Sequence, residues 1–94
     1  MIRIIINNPI NGTTRAAMVP ERAPMRILMP ELIRRLGLPP ADPRGYPISY
    51  MLQKNEFGRG LRLLGPDDTL ASAGIAEDET LTLTYRIVAG YLYR

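Results

Sequence analysis

The order of local patterns along this 94-residue chain predicts an α+β fold, a mixed sheet of four to five strands packed on one helix. Three observations carry that reading. A β-branched run opens the chain and is answered by a second strand after a turn; the apolar period then changes to that of a helix at Met25; and a clean two-residue alternation returns at Thr80. The order is ββαββ, a short helical turn, then β.

Ile2-Arg3-Ile4-Ile5-Ile6 is β-branched at all but one position, as a central strand buried largely on both faces would be. Asn7 to Gly12 holds two turn signals, and Asn11-Gly12 supplies the positive φ of a hairpin turn, so Thr13 to Val19 reads as the returning strand. Pro20 to Pro24 breaks that strand, with Pro24 suited to the first helical position. Met25, Leu28, Met29, Leu32, Ile33 and Leu36 then form an amphipathic stripe, and Gly37 is a C-terminal stop. Pro30 lies inside this stripe. It deletes a helical hydrogen bond at a cost of about 3 kcal/mol, which predicts a kink there or a helix starting near Met29.

Leu38 to Gly45 is a proline-rich loop, Tyr46 to Gln53 a third strand of loose alternation, and Leu61 to Leu64 a short fourth. After the Gly65-Pro66-Asp67-Asp68 turn, Thr69 to Ala73 makes about one helical turn. Thr80 to Val88 alternates Leu81, Leu83, Tyr85 and Ile87 with Thr82, Thr84 and Arg86, a half-buried strand. The two long outer strands are expected side by side and parallel, with the helix over one sheet face. Residues 1–88 form one domain and 89–94 a tail.

Composition narrows the chemistry. The chain has no Cys, which removes disulfides and thiol nucleophiles and fits a reducing cytoplasm. It also has no His, the usual general base and commonest metal ligand, so catalysis would fall to carboxylates or Arg alone. We therefore expect no enzyme activity, no metal and no cofactor. No apolar run approaches the roughly 18 residues of a membrane span, so no membrane insertion is expected.

The net charge of +3 is uneven, with ten basic and four acidic residues over 1–62 against two and five over 63–94. Arg3, Arg15, Arg26, Arg34, Arg35, Arg59 and Arg62 have no aromatic platform interleaved, so a solvated basic face is expected and nucleic acid is not. Glu77-Asp78-Glu79 reads as a solvated bend, since consecutive residues alternate sides and cannot all face one cation. Met18, Met25, Met29 and Met51 suit core filling first and adaptable binding surfaces second.

The segment Asp68-Thr69-Leu70 through Gly74-Ile75 and Glu77-Asp78-Glu79 to Leu81-Thr82-Leu83 resembles the ubiquitin-like β-grasp superfamily, and the likeness extends over nearly the whole chain. Leu70 and Ile75 would be the apolar plugs of the helical turn. Val19-Pro20 to Pro24, with Leu28, Leu32 and Leu36, looks more like the bacterial YukD/EsaB branch, whose members accompany type VII secretion systems. The end of the chain is more similar to ubiquitin itself: Arg86-Ile87-Val88 occupies the place of its basic tail and Ala89-Gly90 that of its diglycine, although Ala replaces one Gly. Tyr91-Leu92-Tyr93-Arg94 would then correspond to the extension removed from a precursor.

The resemblance implies a ubiquitin-like domain over 1–88 and a monomer gripped by other proteins in the cytoplasm. Ala89, Gly90 and Tyr91 would form the processing and conjugation site, and Lys54 and the Met1 amine would be the groups available for self-linked chains. Ile10, Tyr50 and Thr84, with Arg86, fall where ubiquitin presents its partner-binding patch, with Thr84 making that patch less apolar. Three functions follow. The first is a prokaryotic protein modifier, trimmed after Gly90 by a protease and joined through its carboxylate to protein amines by activating and conjugating enzymes. The second is a non-covalent YukD/EsaB-like adaptor of a secretion-system component. The third is a ThiS/MoaD-like sulfur carrier, whose glycine carboxylate becomes a thiocarboxylate.

Overall fold

A computed structural model describes residues 1–56, 58 and 60–88. β1 (Ile2–Asn8) and β2 (Thr13–Val19) pair antiparallel from Ile2↔Val19 to Asn8↔Thr13. The turn between them is held by two asparagines. Asn8 Oδ1 accepts the Ile10 N–H at 3.1 Å, and Asn11 Oδ1 accepts the Thr13 N–H at 3.1 Å. Gly12, at φ 71°, takes the left-handed conformation that lets its N–H reach the Asn8 carbonyl at 2.9 Å. β1 is not buried on both faces, contrary to expectation: Ile2, Ile4 and Ile6 are in the core, Ile5 is half-buried and Arg3 is exposed. The helix covers one face only, so alternation governs even this β-branched run.

The helix α1 (Met25–Leu36) buries Met25, Leu28, Met29 and Leu32. It runs through Pro30, neither starting at Met29 nor stopping there, because its first turn is anchored from outside. Pro24 caps it without a side-chain bond, while the Met25 and Arg26 N–H groups donate to the carbonyls of Asp68 (2.8 Å) and Pro66 (3.0 Å). A turn distant in sequence thus satisfies donors that a capping side chain usually serves. Pro30 itself faces solvent. Gly37, at φ 67°, ends the helix with its N–H on Arg34 O, and Leu38 N–H reaches back to Ile33 O at 3.0 Å.

β3 (Ile48–Glu56) begins two residues later than Tyr46, whose backbone is held by the preceding loop: its N–H donates to Asp42 Oδ1 at 2.9 Å. β4 (Gly60–Leu63) pairs antiparallel with the end of β3, and β5 (Thr80–Ile87) pairs antiparallel with β3 and parallel with β1. The sheet order is β2-β1-β5-β3-β4, mixed and five-stranded. Between β4 and β5, Thr69 to Ala73, where one helical turn is expected, closes as a turn with Ala73 N–H on Thr69 O, and Ile75 N–H reaches Leu70 O, both at 3.0 Å.

Ile4, Ile6, Val19, Leu32, Leu52, Leu70, Leu81 and Leu83 are the innermost side chains, each contributing about 1.5–3 kcal/mol by burial. The ion pairs lie outside that core. Arg26–Asp67, with side chains 58% and 89% exposed, is the most exposed of the pairs among the described residues, and surface pairs of this kind contribute about 0–1 kcal/mol each. Packing of this one core therefore holds the domain. Among the described residues, no helix is long and apolar enough to cross a membrane.

Candidate functional site

Side-chain alternation sorts the sheet into two faces. Ile48, Tyr50 and Leu52 of β3 share the helix side with Leu83, Tyr85 and Ile87 of β5, whereas Ser49 and Met51 share the open face with Thr84 and Arg86. Register separates the residues that the resemblance groups as one patch. Tyr50 pairs with Tyr85 and turns inward, 8% exposed, its hydroxyl donating to Pro39 O at 2.7 Å. Thr84 pairs with Met51 and turns outward, its Oγ1 donating to Met51 O at 3.3 Å. Arg86 is exposed on that open face, opposite Ser49.

Ile10 and Tyr50 share the helix side. Both line an apolar groove of about 530 Å³ at one end of the domain, together with Leu38, Pro39, Ile48, Tyr85 and Ile87. Ile10, 57% exposed, projects from the β1–β2 turn, and Tyr85 is 48% exposed on the groove wall. Burial, with the neighbouring Tyr85 as a second cause, raises the Tyr50 phenol above its ordinary pKa, so it stays a neutral hydrogen-bond donor.

The groove's outer wall is the loop from Leu38 to Pro47. Asp42 organises it by accepting the N–H groups of Arg44 and Tyr46 at Oδ1 and the Arg44 guanidinium at Oδ2. Burial works against the Asp42 carboxylate, but the Tyr46 and Arg44 hydrogen bonds outweigh it and lower its pKa. Arg44 also lies over the Tyr46 ring at 4.6 Å. Sequence reasoning missed Leu38, Pro39, Tyr85 and Ile87 as site residues. The one local signal was a proline-rich loop that keeps apolar residues instead of becoming wholly polar.

The amines are not equivalent. Lys54 Nζ donates to Ala73 O at 2.7 Å, closing the helical turn, whereas Met1 is 71% exposed. On the open face, Leu61 and Leu63 of β4 are 63% and 46% exposed, with Met18 of β2 at 47%. Among the described residues no group of three or more acidic side chains could hold a metal ion. Ala89, Gly90 and Tyr91 lie outside the described residues.

These features define a small α+β domain with one helix on a mixed five-stranded sheet, an apolar groove at one end and an open face with exposed leucines. No protein-family model matches the chain, and no curated protein matches it with significance.

Proposed function

We propose that this domain is a ubiquitin-like β-grasp protein modifier, made as a precursor, trimmed after Gly90 and joined through the Gly90 carboxylate to amines on other proteins. The observation that carries the reading is the sheet itself. Parallel pairing of β1 with β5 puts the last strand in the middle of the order β2-β1-β5-β3-β4, so the chain leaves from a rigid central strand. A modifier needs that arrangement: a folded body for partner enzymes to hold and a narrow tail whose small residues enter their channels. The acyl chemistry belongs to those partners. The domain's own contribution is recognition and presentation.

Trypsin offers a direct test. It cleaves after Arg86, so a target lysine conjugated through Gly90 retains the remnant Ile87-Val88-Ala89-Gly90 on its amine. Mass spectrometry of proteins recovered with a tagged chain from its native host should find that remnant. Recovery of only the chain with residues 91–94 intact, from cells in which its partner enzymes are expressed, would sink the reading.

The exposed Leu61, Leu63 and Met18 favour a second reading, a non-covalent adaptor that docks by its open sheet face. Under that reading, Leu61→Asp with Leu63→Asp abolishes partner capture while deletion of residues 91–94 leaves it unchanged.

A further inference from the structure

Hydrogen bonding along β3 skips one residue. The Ile48 N–H donates to Pro40 O at 3.0 Å and the Leu64 N–H to Leu52 O at 2.9 Å, so the even-numbered residues of β3 turn their backbone groups away from β5. Tyr50 lies between these two bonds. The register that sets Leu63 opposite Gln53 would bring Pro66 opposite Tyr50, but proline has no N–H and its carbonyl accepts the Arg26 N–H at 3.0 Å. Among the described residues, neither the N–H nor the carbonyl of Tyr50 therefore has a hydrogen-bond partner, although the residue is only 8% exposed.

That stretch of edge borders a cavity of about 240 Å³, lined also by Met25, Met29, Met51, Leu64 and Pro66. Arg26 is the one charged residue lining it among those described. Its partner Asp67 is 89% exposed, so water screens the pair and the guanidinium is held weakly.

We propose that this gap is a binding site for the C-terminal residue of a partner polypeptide, one that ends in an apolar side chain and a free carboxylate. The shape of the gap selects a chain end. Pro40 closes it at Ile48 and Leu64 closes it at Leu52, so a strand running through would collide with both, whereas a terminus enters from one direction. The last residue of a chain offers its N–H to the Tyr50 carbonyl and its carboxylate to the Tyr50 N–H, and the same carboxylate meets Arg26 in a charge-assisted contact. Its side chain falls on the face that Tyr50 occupies, over Met25 and Met29 of α1. Methionines adapt to unlike apolar guests, so the site selects the carboxylate more sharply than the side chain. Nothing in this depends on conjugation: the site serves a modifier and a non-covalent adaptor alike.

The test titrates acetyl-Ser-Val-Leu with a free carboxylate, and the same peptide as its C-terminal amide, into the full 94-residue chain and into Arg26→Gln, read by two-dimensional spectra and amide hydrogen exchange. In the free protein the Tyr50 amide should exchange roughly tenfold faster than those of Ser49 and Met51, which point toward β5. The free acid should shift the Tyr50 and Leu52 amides and the Met25 and Met29 methyl signals, and should slow Tyr50 exchange. Amidation of the peptide and Arg26→Gln should each weaken binding roughly tenfold. A slowly exchanging Tyr50 amide in the free chain would overturn the proposal by showing the edge already closed. So would equal binding of acid and amide, or a fast Tyr50 amide that ignores both peptides and leaves the gap to water. Peptide shifts confined to Ile10 and Tyr85 would move the terminus to the apolar groove, and Tyr50 shifts that follow protein concentration alone would assign the gap to a second copy; either result also overturns it.

Discussion

The two ends of the domain are built differently. At the end that holds Arg3 and the helix N-terminus, hydrogen bonds tie β1 to the bend before β5. Asp78 N–H donates to Arg3 O at 2.7 Å, Ile5 N–H to Glu79 O at 3.0 Å, and Arg3 N–H to Glu77 Oε2 at 3.1 Å, with the Arg3 guanidinium paired to Asp78. The bend expected to be merely solvated is thus strapped to β1. At the other end the β1–β2 turn, the Leu38–Pro47 loop and the tip of β5 enclose an apolar groove and leave Ile10 and Tyr85 partly in water. Uncovered apolar area on a folded scaffold is where binding surfaces are commonly found.

The largest expected effect lies at the closed end. Leu70, fully buried in the helical turn, loses its packing in Leu70→Ala, and urea denaturation should show a loss of about 3 kcal/mol. A loss under 1 kcal/mol would mean that this turn is not part of the cooperative core. Gly37→Ala probes the helix terminus facing the groove end. There φ 67° strains any residue with a Cβ, and we expect a loss of about 1 kcal/mol although the added methyl meets no atom.

Ile10→Ala should change stability by less than about 0.5 kcal/mol, since Ile10 is more than half exposed, while shifting the amide signals of Tyr50 and Tyr85. A large loss there would erase the distinction between the two ends. The smallest effect is electrostatic. Hydrogen bonding and charge from Arg3 hold the Asp78 pKa below its ordinary value, so the pair stabilises the fold above about pH 4 and that contribution disappears as pH falls through the lower folded value. In Asp78→Asn the acid side of the thermal stability profile should be shallower; profiles that superimpose would show that the strap rests on backbone bonds alone.

Much of the fold was legible because its signals are local. The Thr13–Val19 strand matches its predicted bounds, the α1 stripe and its glycine stop match, and alternation places the last strand within one residue. The third strand was harder because Tyr50 and Met51 are adjacent and both suit a core, so parity could not choose between them. Pairing with β5 chose Tyr50 for the buried side. Pro30 does not set the helix start for a related reason: propensity is local, whereas the bonds that anchor the first helical turn come from Pro66 and Asp68.

By itself, then, the sequence determined the element order, the apolar stripe that the helix buries, the turns at Asn11-Gly12 and Gly37, and the absence of His and Cys. Each of these depends on residues within a few positions of one another. Tertiary structure alone decided the strand order, the side on which Tyr50 lies, the engagement of Lys54 with Ala73 and the groove shared by Ile10, Leu38, Tyr50 and Ile87. Those features join segments tens of residues apart, and only the packing of the helix on one face of the sheet selects which distant side chains meet.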